Sequence, residues 1–356
     1  MSTSGQPLRL DKSDLYSPQV ESYLQDQEAL RREMPEVEPQ PLLVRVIYSS
    51  YFYLSIAAGL GALCGWAALE PFFDDAEVHK GIDIAATLMF PVVAGCIGLF
   101  LGAIEGLMCR NVGRAAICAI VGLGIGFGGG LISIFIAGFI FVIMNMVAFQ
   151  FWQNPQPGQM PGGLALLILM MGRAAAWAVA AIPAGIGQGI ALREKKVIMN
   201  GLLGAVLGGL LGGLLFDPIS LVFVGANGKA TVSRAIGFAT IGILVGLFVG
   251  LVEQWTKTAW LLMKAGALAG KQFVLYRNPT VLGSSPKADI YLFKDPAIEP
   301  RHALIHNRGG RFEIEDCSTP DGTYVNGIPI QKHVLQAGDQ VVLGKTVLEF
   351  SLKETK

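Results

Sequence analysis

The sequence predicts an α-helical polytopic membrane bundle, of about six transmembrane helices, followed by a C-terminal all-β sandwich. Three observations carry this. Only 15% of the 356 residues are charged and 52% are hydrophobic, whereas a soluble protein is about one quarter charged. The charge is unevenly spread. Residues 47–270 hold 11 Lys+Arg, 9 Asp+Glu and 37 of the 45 glycines, against 5 and 8 charges in residues 1–46 and 11 and 10 in residues 271–356. Long apolar runs fill the middle, and short alternating runs with turn residues fill residues 271–354.

The same totals exclude several classes. Hydrophobicity this high does not fit a disordered chain. The formal charge is zero, from 27 Lys+Arg against 27 Asp+Glu, which argues against a nucleic-acid partner. Five cysteines without a C-x-x-C pair do not make a disulfide framework or a thiolate zinc site. No metal site, cofactor or catalytic residue is expected. The chain has no P-loop, no G-x-S-x-G and no H-E-x-x-H. The glycine run Gly124-x-Gly126-x-Gly128-Gly129 lies inside an apolar span, which is the wrong place for a nucleotide fingerprint.

Residues 1–46 read as a mobile polar tail with a short helix within 20–34. No apolar leader follows the start, so the tail is expected on the cytoplasmic face. Residues 47–252 read as the bundle, because about 20 apolar residues cross a bilayer. The spans expected are 47–69, 84–104, 115–149, 174–192, 201–216 and 235–252. The third is too long for one straight crossing and is expected to tilt, project or kink at residues 128–130. With six spans both termini share one side. That side holds Arg45, Arg110, Arg114, Arg193, Lys195, Lys196, Lys257, Lys264 and Lys271, so it is the cytoplasmic side of an inner (plasma) membrane.

Repeats support this layout. Gly113-Arg114-Ala115, Gly172-Arg173-Ala174 and Ser233-Arg234-Ala235 echo one another. So do Gly61-x-x-x-Gly65, which leads to Glu70-Pro71, and Gly204-x-x-x-Gly208-x-x-x-Gly212, which leads to Asp217-Pro218. Gly102-x-x-x-Gly106, Gly185-x-x-x-Gly189 and Gly246-x-x-x-Gly250 form a second set. Small residues four apart let helix backbones approach in lipid, which favours bundle packing and homo-oligomers. The alternative is a transporter or channel in which glycines make room for a path. Its best residue is Arg173, read either as a functional charge or as the outer boundary of a helix preceded by an interfacial segment. Residues 253–270 read as an amphipathic linker helix.

From Lys271 the period changes. Residues 273–276, 280–282, 290–292, 303–306, 312–315, 324–325, 340–343 and 346–352 alternate as strands. Asn307-Arg308-Gly309-Gly310 and Asn326-Gly327 mark turns. Many short strands of this kind make a sandwich or barrel.

Five ordered motifs then resemble the forkhead-associated (FHA) domain family. They are Val281-Leu282-Gly283-Ser284-Ser285-Pro286, Ala288-Asp289-Ile290-Tyr291-Leu292, Asp295-Pro296-Ala297-Ile298-Glu299-Pro300-Arg301-His302-Ala303, Asp316 through Gly327, and Leu335-Gln336-Ala337-Gly338-Asp339. The resemblance covers about a quarter of the chain and implies a bacterial FHA-domain membrane protein. It implies a β-sandwich whose loops bind phosphothreonine peptides, with a cytoplasmic protein or phosphoprotein, such as a Ser/Thr kinase substrate, as partner. Carried over by position, the peptide-binding residues are Ser284, Glu299, Arg301, Thr319 and Asn326. Gly283, His302 and Gly327 are structural. Ser284 stands where the family has an arginine, and so lacks the bidentate phosphate grip. Glu299 places a carboxylate where phosphate is contacted, and like charges repel. Pro300 replaces the usual arginine, leaving Arg301 and Lys287 as the nearby cations. The function expected is a membrane-anchored interaction and signalling scaffold.

Overall fold

The computed structural model describes residues 40–73, 84–152, 161–223 and 230–353. Residues 1–39, 74–83, 153–160, 224–229 and 354–356, among them most of the expected N-terminal tail, lie outside the described residues. The chain divides into a helical unit, Gln40–Trp260 with Gly270–Arg277, and a sandwich unit, Leu261–Ala269 with Asn278–Leu352.

The helices are α1 (Leu42–Ile47), α2 (Ser50–Leu69), α3 (Ile84–Met108), α4 (Val112–Gln150), α5 (Gly163–Leu192), α6 (Lys195–Phe223) and α7 (Thr231–Thr256). Six of them, α2 to α7, are long and apolar enough to cross a membrane. Residues 42–47, expected at the end of the tail, form the short α1. Helix α4 runs unbroken through residues 128–130. At 1.5 Å per residue it is about 58 Å long, against about 30 Å for a hydrocarbon core.

Helices α2 to α7 pack in sequence order, and α7 returns to α2, closing a ring. Glycines set the spacing. A Cβ on Gly246 would strike the Leu54 carbonyl, one on Gly185 the Gly201 carbonyl, and one on Gly102 the Cys118 carbonyl. These three contacts lie in the α7–α2, α5–α6 and α3–α4 seams. They share one register, so three helical hairpins meet by equivalent seams. Twelve residues before those glycines stand Arg234, Arg173 and Phe90. Arg234 reaches Glu70 at 2.6 Å and Arg173 reaches Asp217 at 2.9 Å. The third seam has Phe90 and the apolar Ile134-Phe135 run instead. The equivalent of Arg173 is therefore Phe90 and not Arg114, which lies at the opposite helix end.

Two expectations are corrected. Arg173 is inside α5, which begins at Gly163, rather than at a helix start. Asp217 likewise lies within α6 and is 3% exposed. Pairing explains both placements, since each charge offsets the other's desolvation. The helix expected over 253–270 stops at Thr256 and is followed by a strand, Ala259–Ala265. Lys257 is extended (φ −62°, ψ 135°). Gly266 (φ +130°) and Gly270 (φ +96°) have backbones no helix accepts. Lys264 pairs at 2.6 Å with Glu349 on the neighbouring strand, so its partner set a period of two.

The strands are β1 (Ala259–Ala265), β2 (Gln272–Val274), β3 (Thr280–Gly283), β4 (Ile290–Tyr291), β5 (Ala303–Arg308), β6 (Arg311–Asp316), β7 (Thr323–Val325), β8 (Ile328–Ile330), β9 (Lys332–Val334), β10 (Gln340–Leu343) and β11 (Thr346–Leu352). They form two sheets, β2-β1-β11-β10-β7-β8 and β4-β3-β5-β6-β9. Leu282, Ile305, Ile314, Val341, Leu343 and Leu348 are fully buried between them. Strands β8 and β9 are sheet edges. Pro329 in β8 weakens its strand signal and is tolerated at an edge.

Candidate peptide-binding site

The site is built where three loops leave the sheets at one end. Strand β3 ends at Gly283, and a Cβ there would strike the Pro300 carbonyl. The chain before β5 therefore crosses directly over β3. The Ser284 N–H donates to the Glu299 carbonyl at 2.9 Å and the Ser285 N–H to the Pro300 carbonyl at 3.4 Å.

His302 ties these loops to the third. Its side chain is fully buried. Nδ1 accepts the Glu299 N–H at 3.2 Å, which puts the proton of the neutral ring on Nε2. Nε2 lies 3.2 Å from the Gly322 carbonyl and 3.2 Å from Thr319 Oγ1. The ring thus joins the Glu299 loop to the Thr319–Gly322 loop, and the first loop is held to the second through the Ser284 and Ser285 backbone bonds.

Asp316, at the end of β6, anchors the third loop. It accepts the Thr319 N–H at 2.9 Å, the Thr319 hydroxyl at 2.9 Å and the Thr323 hydroxyl at 2.6 Å. Burial alone would raise its pKa, but hydrogen bonds from Thr323 and Thr319 win and hold it below 3.8. A depressed carboxylate pKa contributes stability above the unfolded value, and that stability is lost as pH falls through the folded one. The urea midpoint of the sandwich should therefore fall on acidification from pH 5 through the Asp316 range. Asp316→Asn should start lower and lose less of its midpoint over the same interval. An unchanged slope in the variant would rule Asp316 out as the titrating group.

Asn326 and Gly327 form the β7–β8 turn with φ of +53° and +83°, the conformation a two-residue hairpin of Asn-Gly prefers. The Asn326 amide is engaged in bracing that turn. Oδ1 accepts the Gln340 N–H at 2.9 Å and Nδ2 donates to Asp339 at 2.8 Å. The structure thus gathers Ser284, Glu299, His302 and Thr319 through shared hydrogen bonds. Asn326 stands one three-residue strand beyond Thr323, turned to its own hairpin. Arg301 is exposed on the same loop as Glu299 and hydrogen-bonds Cys317, whose thiol is nonetheless raised, burial being the larger cause. Sequence reasoning passed over Asp316 and Asp339 as braces. The Asp316-x-x-Thr319 spacing, an aspartate ahead of a turn, was their available signal.

Residues 280–344 also have counterparts among known proteins. Residues 280–344 match the FHA domain family model. The oxoglutarate dehydrogenase inhibitor of Corynebacterium diphtheriae is 41% identical over 90 residues, 25% of this chain and 62% of that protein. The glycogen accumulation regulator GarA of Mycolicibacterium smegmatis is 40% identical over 93 residues, 26% of this chain and 58% of that protein. The chain thus spans about three fifths of the length of these relatives, and they match a quarter of it. The crystal structure of an FHA domain from Chlamydia trachomatis is 29% identical with a TM-score of 0.26, covering 28% of this chain and all of that one.

Proposed function

Because residues 280–344 are an FHA domain, a protein-interaction module, we propose that this chain is a membrane-anchored scaffold that presents the module on the cytoplasmic face and binds a protein partner independently of phosphate. Glu299 is the observation that carries the last point. It is exposed, and among the described residues its carboxylate has no hydrogen bond or ion pair. A free carboxylate beside Ser284 repels the dianion the family reads. The two relatives bear names of regulators, which supports a regulatory rather than catalytic role.

Anchoring is supported by the helices and by their filled interior. Phe90 stacks on Trp177 at 4.3 Å, and Trp177 meets Phe238 at 5.6 Å. Arg173 is matched by Asp217, so it does not call for a transport path. The cationic helix ends at Arg110, Arg114, Arg193, Lys195 and Lys196 favour the cytoplasmic side.

The test is titration of the full chain in detergent with matched threonine and phosphothreonine peptide pools. Equal affinities are expected for the natural chain. Ser284→Arg with Glu299→Ser should shift preference to the phosphorylated pool by about tenfold, through the restored charge-assisted bonds. Tighter phosphopeptide binding by the natural chain, lost in Asn326→Ala, would overturn phosphate independence.

A further inference from the structure

The chain leaves the sandwich unit after Ala269, passes through Gly270–Arg277 in the helical unit, and re-enters the sandwich unit at Asn278. Within the helical unit this segment is held by an unusual group. Lys271 is 1% exposed, and its ammonium lies 3.1 Å from Glu105 on α3. The Tyr53 hydroxyl on α2 donates to the other Glu105 oxygen at 2.6 Å. Burial pulls the Lys271 pKa down, but Glu105 beside it overrides this and leaves the pKa raised. The segment's far end is tied as well. The Arg277 guanidinium reaches Glu194 at 2.9 Å and the Leu192 carbonyl at 2.8 Å.

A buried ion pair is a poor way to gain stability, since a packed apolar pair holds as well. What it supplies is one permitted register, and a large penalty when one charge stands alone. After Asn278 and Pro279 the chain enters β3, which ends at Gly283, one residue before Ser284. We propose that Gly270–Arg277 is a charge-set latch: the Lys271–Glu105 pair fixes the segment in one position on the helix ends, and leaving either charge unpaired releases it as a unit. This does not depend on what the FHA domain binds.

The test is hydrogen exchange of the full chain in detergent micelles. Glu105→Gln and Lys271→Met should each speed exchange across residues 271–277 by at least about tenfold, all amides together. Glu105→Leu with Lys271→Met should return it to within about threefold of the natural chain. Single variants with unchanged exchange, or with changes only beside the substitution, would overturn the latch. So would a double variant as exposed as the singles. If the singles do not fold, the reversed pair Glu105→Lys with Lys271→Glu decides. Protection retained supports the latch, and protection lost overturns it.

Discussion

Glu70→Ala lowers the thermal unfolding midpoint of the full chain in detergent by on the order of 10 °C. Glu70 and Arg234 are each only 12% exposed at the side chain. Their contact is bidentate, with Arg234 donating through Nε at 3.1 Å and Nη2 at 2.6 Å. The Trp66 indole N–H also donates to Glu70 at 2.8 Å. Truncation removes two charge-assisted hydrogen bonds from the guanidinium and the acceptor of the indole N–H in a buried site, a loss of about 3–5 kcal/mol. Glu70→Leu with Arg234→Met should recover most of it, because both charges leave together. Asp217→Ala should cost less, since Arg173 is 29% exposed at the side chain and can turn toward solvent or headgroups. The ranking checks the equivalence of the seams. A Glu70→Ala midpoint within about 2 °C of the natural chain would remove the pair as a seam lock.

His302→Ala costs the sandwich about 3 kcal/mol. Three polar groups, the Glu299 N–H, the Gly322 carbonyl and Thr319 Oγ1, lose a partner at about 1 kcal/mol each, and a cavity adds to this. The loops should loosen together, because the ring joins the Glu299 loop to the Thr319–Gly322 loop and the Ser284 N–H bonds the Glu299 carbonyl. Amide exchange should rise at Ser284, Glu299 and Thr319, with β10 and β11 unchanged. Asn326→Ala should leave those loops intact and loosen only the β7–β8 turn. A His302→Ala chain with undisturbed loop exchange would show that the backbone bonds suffice.

Much of this was legible because its causes are local. Apolar runs above bilayer length, short alternating runs after Lys271 and Asn-Gly at a hairpin each act through neighbouring residues. The five FHA-like motifs were legible for the same reason, being loop and turn chemistry in a set order. The misses share the opposite property. Trp260-Leu261-Leu262-Met263-Lys264 suits an amphipathic helix by composition, and became a strand through its pairing with β11. Pro329 hid an edge strand. Arg173 looked like a boundary because its partner, Asp217, lies far along the chain. The site residues divide similarly: Gly283 and His302 were readable from motif order, while the commitment of Asn326 to Asp339 and Gln340 was not.

The sequence by itself determined six long apolar helices, a small β-sandwich and, through motif order, a serine and a glutamate, Ser284 and Glu299, where the FHA family has arginine and serine. These follow from residue type, local period and motif order. Only the tertiary structure decided which glycines meet in which seam, which carboxylate answers each arginine, and that Lys271 is buried against Glu105. Each of those is a contact between residues 16 to 192 positions apart, and its energy exists only once burial removes water from both partners.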